Sequence, residues 1–256
     1  MTGFQYLGRS GSGVLVLTSV DPVPPGTPDG TLIARTLATP DPVVVGTPTT
    51  NGALSASSVA INKPSGIVAG ETLVAFINQS LSGTTVTGPS GWTKRHEVLG
   101  SAWSAMRTTE IWTLHVPDPN ALPASFTWSF SAGGRIVGAI MRIANVDSAN
   151  PVSGVSPVPT VARELPAFSV ASNNSLTVFA GVTIAASPNV LDPLTLSSGT
   201  PTKIGFYQSS ASSSDTRQGL TIYSVPVGTG GQPSITYTSP APAANETAIG
   251  LALRKA

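Results

Sequence analysis

The sequence predicts an all-β fold: an antiparallel sandwich of jelly-roll-like type with an internal duplication, preceded by an extended N-terminal arm. Three observations carry this. Charged residues make up only 10% of the 256 residues, against about 25% in an average soluble domain, while Gly (26) and Pro (23) are plentiful. Solvent-facing positions must then be filled by Ser, Thr, Asn and Gln, and Thr and Val suit a pleated strand because a β-branched side chain loses little freedom there. Second, apolar residues alternate with period two, as in Ser125-Phe126-Thr127-Trp128-Ser129-Phe130, the mark of a half-buried strand. Third, a set of short blocks recurs in the same order in both halves of the chain.

Residues 1–52 read as the arm. A strand-like run, Val14–Val20, meets Asp21-Pro22-Val23-Pro24-Pro25-Gly26-Thr27-Pro28-Asp29-Gly30, a stiff and turn-rich stretch. A second strand, Thr31–Leu37, follows, and then Thr39-Pro40-Asp41-Pro42 and Gly46-Thr47-Pro48. Prolines this dense argue against a central strand. The expected arm therefore holds one short ribbon, whose exposed edges invite pairing with another chain. The expected assembly contacts are Val14, Leu15, Val16, Leu17, Leu32 and Ile33. The glycine run Gly8–Gly13 has the outer spacing of a phosphate loop, but Val14-Leu15 stand where Lys and Ser/Thr are needed. It reads as a flexible tail.

Residues 53–256 carry the repeat, with copies at about 59–147 and 165–254. Leu73-Val74-Ala75-Phe76 matches Leu176-Thr177-Val178-Phe179, and Gly91-Trp92-Thr93-Lys94 matches Thr200-Pro201-Thr202-Lys203. Further on, Ile111-Trp112-Thr113-Leu114 matches Ile222-Tyr223-Ser224-Val225, Ser125–Trp128 matches Ser234–Tyr237, and Gly138–Arg142 matches Gly250–Arg254. The offsets are 103, 109, 111, 109 and 112 residues. Each block alone is a common β-pattern; five in order, with nearly constant spacing, indicate duplication. On this alignment Trp112 pairs with Tyr223 and Trp128 with Tyr237. Ile136–Ile143 and Ala248–Leu253 are almost continuously apolar, as expected of central strands covered on both faces. The core should include Phe126, Trp128, Phe130, Ile140, Phe179, Ile235, Tyr237 and Leu251.

The residues offer little chemistry, and no enzyme activity is expected. Without cysteine there is no disulfide framework, thiol nucleophile or Cys-based zinc site. The two histidines, His96 and His115, sit on strand-like runs, and nothing in the sequence points to a nucleophile and an orienting acid meeting either of them. Most acids, including Asp21, Asp29, Asp41, Asp118 and Asp192, stand at turns, where an Asp ordinarily caps its own backbone. The Asp118/Asn120 and Asp147/Asn150 turns are the candidates for calcium, although a hard cation takes about six or more oxygens and no D-x-D-x-D-G loop is present. No cofactor is expected. The thirteen Lys and Arg are scattered, which argues against nucleic acid as a partner. The apolar run Ile136–Ala144 is too short to cross a bilayer and contains Arg142, so membrane insertion is not expected.

All four tryptophans, Trp92, Trp103, Trp112 and Trp128, lie in the first copy. Core packing is the default for three of them. Trp103, in Gly100-Ser101-Ala102-Trp103-Ser104-Ala105, falls between strands and is the candidate contact for a host surface glycan.

The segments G-E-T-L-V-A-F (70–76), P-S-G-W-T (89–93), I-W-T-L (111–114), F-T-W-S-F (126–130) and R-I-V-G-A-I-M-R-I-A-N-V-D (135–147) resemble a β-sandwich domain of actinobacteriophage virion proteins. Those are usually called minor tail proteins, and related sandwiches decorate capsids. The resemblance covers roughly residues 59–256, and D-P-V-P-P-G-T-P-D-G-T-L-I-A-R (21–35) is similar to a leader on such tail proteins. The second copy departs from it at Thr200-Pro201-Thr202. The resemblance implies a structural protein located in the phage particle, a siphophage minor tail protein at the tail tip, with other virion proteins and copies of itself as partners. A capsid decoration protein and a carbohydrate-binding adhesin module are the alternatives. It implies no catalytic residues.

Overall fold

A computed structural model describes residues 7–10, 13–16, 39–101, 104–160, 164–185, 192–193, 201–209, 217–228, 230–238 and 246–256. The chain divides into two compact units, Met1–Ala38 and Thr39–Ala256. The first contains a hairpin of β1 (Leu7–Ser10) and β2 (Gly13–Val16). Everything else belongs to the second, which is antiparallel β throughout the described residues apart from one 3-10 turn at Pro119–Ala121.

The first half of the large unit supplies β3 (Val43–Asn62), β4 (Thr72–Gln79), β5 (Val86–Thr87), β6 (Thr93–Ser101), β7 (Ser104–His115) and β8 (Ser125–Ala144). They pair in the order β3-β8-β4-β7-β6, with β5 on the early part of β8. The second half supplies β9 (Val152–Val155), β10 (Glu164–Leu165), β11 (Ser175–Ala185), β12 (Asp192–Pro193), β13 (Thr202–Gln208), β14 (Arg217–Val227), β15 (Ile235–Thr238) and β16 (Glu246–Leu253). Its main sheet runs β13-β14-β11-β16-β9, and a small sheet runs β10-β15-β12.

Both halves thread their main sheet identically. Ranked by appearance within its half, each sheet reads third, fourth, second, fifth, first. The small elements correspond too. Early β8 is flanked by late β3 (Val59↔Trp128) and β5 (Val86↔Phe130). Likewise β15 is flanked by β10 (Leu165↔Ile235) and β12 (Pro193↔Tyr237). What is one 20-residue strand in the first half is two strands, β15 and β16, in the second. Each half keeps its strands in its own sheets, whereas a jelly roll interleaves them.

The main sheets pack face to face. Val74, Phe76, Ile111, Val137 and Met141 from the first meet Val178, Val182, Leu220, Ile222, Ile249 and Leu251 from the second, all fully or almost fully buried. The opposite face of the first sheet lies under its outer layer, where Leu73, Ile77, Trp112 and Ile140 pack with Ile61, Trp92, Phe126 and Trp128. The second sheet is covered likewise: Phe179, Tyr223 and Ala252 pack with Leu165 and Ile235. This explains why all eight residues of β4 are buried. A strand lined on both faces must be apolar or internally satisfied throughout.

The sheets meet as a pseudo-dyad would place them. A Cβ on Gly52 of β3 would stand 2.8 Å from Ser209 Cα, just beyond β13. At the other edge, His96 of β6 approaches Ser156, just beyond β9, with Nε2 to Oγ at 3.3 Å. The first-ranked strand of each half thus lies over the third-ranked strand of the other, the signature of an isologous contact.

Two sequence expectations shift. Residues 43–52, placed above in the arm, form the start of β3 and pair with β8 from Val43↔Ala144 onward. Pro48 is tolerated because β3 is an edge strand and the pairing skips from Val45 to Thr49, with Gly46 at φ +67°. Second, Leu73 faces the outer layer while Leu176 faces the central core. A match that keeps faces aligns Val74 with Val178 and Phe76 with Ala180, one residue away from the block alignment. Trp112 and Tyr223 occupy strands of equal rank, β7 and β14, and each packs in the outer layer of its half; Trp128 and Tyr237 lie on early β8 and on β15. Phe126, Trp128, Phe130, Ile140, Phe179, Ile235 and Leu251 are buried as expected; the side chain of Tyr237 lies outside the described residues.

Candidate functional site

Of the expected assembly contacts, Val14, Leu15 and Val16 lie on β2, opposite Arg9, Gly8 and Leu7 of β1. The partner strand is therefore the segment read above as a flexible tail. Two residues, Gly11 and Ser12, link Ser10 to Gly13, and a two-residue Gly-containing link is the commonest hairpin connection. Leu17, Leu32, Ile33 and the expected strand Thr31–Leu37 lie outside the described residues, as does Trp103. Its flanks, Ser101 and Ser104, pair across the β6–β7 hairpin.

The other three tryptophans are core. Trp92 meets Trp128 edge-on at 5.1 Å and Phe126 at 5.2 Å. Trp112 packs flat against the backbone at Gly88, where a Cβ would come within 2.5 Å of the indole. The turn acids act as turn caps. Asp118 accepts from the Asn120 N–H at 2.9 Å, and Asp147 accepts from the N–H groups of Ala149 and Asn150 at 2.9 and 3.1 Å. In each, Oδ1 is the accepting oxygen, and among the described residues no group of three or more His, Asp or Glu could hold a metal ion. His96 is partly buried, which lowers its pKa, and its ring contacts Ser156.

Two charged groupings are built into the first half. Arg142 donates from Nε and Nη2 to the two oxygens of Glu71, at 2.8 and 2.7 Å, and from Nη1 to the Ser65 carbonyl at 2.8 Å. This bidentate fork ties β8 to the loop before β4, and the bond to Glu71 raises the Arg142 pKa. The other grouping lies on β6 and β7. Glu110 is fully buried, with Glu97 directly opposite in register. Lys94 Nζ reaches Glu110 at 3.1 Å and Glu97 at 3.3 Å. Trp112 Nε1 donates to Glu110 Oε2 at 2.7 Å, and the Lys94 ammonium stands 6.0 Å from the Trp112 ring. Burial, then the hydrogen bond with Glu97, pushes the Glu110 carboxyl up to about 7 against the opposing pull of Lys94 and Trp112.

Neither grouping was singled out from sequence. Glu110 did carry a signal: Thr108-Thr109-Glu110-Ile111-Trp112 sets an acid in a strand, two residues before a core indole, in a chain whose acids otherwise favour turns.

No family model matches this chain, and no curated protein or solved structure does either.

Proposed function

We propose that the protein is a non-enzymatic structural component of a tailed-phage virion, a minor tail protein whose N-terminal unit anchors it while the double sandwich projects. The observation that carries this reading is the division between Ala38 and Thr39. It separates a β-hairpin leader from a large unit that buries its own core. A two-stranded hairpin is marginal in water by itself, and strand addition to a neighbouring subunit would stabilise it. The resemblance of roughly residues 59–256 to virion sandwiches supports the same reading. So does the composition: few charges, no cysteine, and surface positions filled by Ser and Thr. The shared threading of the two halves supports descent from a duplicated unit.

The test is to delete residues 1–38 and measure incorporation into particles. We expect residues 39–256 to fold, with an unchanged far-ultraviolet β spectrum, and to be lost from virions. Normal incorporation would move the attachment surface onto the sandwich. Copy number per particle separates the tail reading from capsid decoration: a few copies against hundreds.

A further inference from the structure

We infer that Glu97 and Glu110 share one proton across the β6–β7 pair, making this edge of the first sheet a pH-responsive element. The geometry starts from register. Glu97 and Glu110 are directly opposed, on the same face of neighbouring antiparallel strands, where like charges are destabilising. Glu110 is fully buried, whereas Glu97 is partly exposed. One ammonium, Lys94, serves both carboxylates. With one proton on the pair, the cluster is neutral: one carboxylate, one carboxylic acid, one ammonium. With none, it carries a net negative charge beneath the Trp112 indole.

Among the described residues, no other ionisable group faces it. The elements around Trp112 and Glu110 are β4, the 80–92 loop, β5 and the early part of β8, and residues 72–92 and 125–134 contain no Asp, Glu, Lys, Arg or His. Arg95 turns to Thr113, and His96 lies on the central side with Ser156. The strand that the charge would loosen is β6, which within the sheet is hydrogen-bonded only to β7.

The direction follows from linkage. The native carboxyl titrates above its ordinary value, so the folded chain holds a proton that the unfolded chain releases between about pH 4.5 and 7. Stability from this site is full below that window, falls as pH rises through it, and is flat above. His96 acts oppositely: burial lowers its pKa, so its contribution to stability grows as pH rises to its ordinary value. The experiment therefore uses the full chain in a His96→Gln background.

Two readouts test it. Carboxyl carbon NMR should show Glu110 titrating in a step near neutrality, with the Trp112 indole N–H moving at the same pH. Glu97→Gln should shift the Glu110 step to lower pH, since Lys94 then serves one acid. The urea midpoint should fall between pH 5.5 and 8.5, and Glu110→Gln, which mimics the protonated acid, should remove that fall. Glu110 titrating as an ordinary carboxylate, or an indole signal that ignores the step, would overturn the proposal. Because the NMR titration needs no substitution at Glu110, misfolding of that variant leaves the test intact.

Discussion

Trp128→Ala probes the first outer layer most directly. Trp128 is fully buried, with Trp92 against its ring at 5.1 Å and Val59 as its strand partner. A tryptophan buries about 200 Å², which at about 25 cal/mol per Å² amounts to about 5 kcal/mol. The lost edge-on contact with Trp92 adds about 1 kcal/mol. Against this, the indole N–H meets no acceptor among the described residues. Deleting it recovers about 1–3 kcal/mol of the cost of an unsatisfied donor. The net is a loss of about 3–5 kcal/mol, the range seen when a large aromatic site is emptied. Urea denaturation of the full chain, followed by far-ultraviolet circular dichroism, measures it. Trp128→Phe should lose about half as much, because it keeps a ring and removes the orphan donor. A Trp128→Ala cost below about 1 kcal/mol would mean that early β8 does not cover the sheet, and the layered description of the first half would fail.

Arg142→Met should cost about 3–5 kcal/mol, the range for breaking a buried pair, because it leaves the Glu71 carboxylate buried without its cation. Adding Glu71→Gln should recover part of that loss, and a double variant no more stable than the single would refute the pairing argument. Gly138→Ala should cost about 1–3 kcal/mol by overpacking, since its Cβ would stand 2.6 Å from Ile61 Cδ1 and 3.0 Å from Ile77 Cδ1. Gly250→Ala, whose Cβ would meet Leu165 methyls at 3.0 and 3.2 Å, should cost less. Thermal melts of the two variants check that order.

Period-two alternation was legible wherever one face of a strand is buried by local neighbours. Early β8 shows it: Phe126, Trp128 and Phe130 are buried, and Thr127 and Ser129 are exposed. The both-face burial of late β8 and of Ala248–Leu253 in β16 was legible too, because nothing polar interrupts these runs except Arg142, whose partner explains it. Block matching found the threading but not the register. A one-residue slip exchanges inner for outer faces, and apolar residues line both faces of β4 and β11, so the composition of Leu73–Phe76 cannot detect it. Pro48 and Gly46 looked like breakers; only the bulge and the edge position of β3 reconcile them with a strand. The Glu71–Arg142 and Glu97–Glu110 groupings span 71 and 13 residues. They arise from register, which residue types alone do not encode.

The shared strand order of the two halves also bears on how a chain with no cysteine and few charges is held together. Each half covers one face of its main sheet with its own outer layer, and that layer is made of short pairings: two residue pairs for β5, two for β10 and two for β12. The other face of each sheet finds its cover only in the opposite half, through Val74, Phe76, Ile111 and Met141 on one side and Val178, Leu220, Ile249 and Leu251 on the other. Among the described residues, the central core is therefore a part that neither half can build from its own strands. Joining the halves in one chain makes their encounter intramolecular, which keeps the apolar faces covered at any protein concentration. At the seam the backbone approach is close enough that Gly52 admits no side chain. Polar residues are matched across the same contact: Asn78 donates to Thr109 at 2.7 Å within the first sheet, and Gln218 of the second lies against Asn78. Apolar cover sets the strength of this contact, while the polar seam and the Gly52 approach fix its register, so the two sheets have one way to meet.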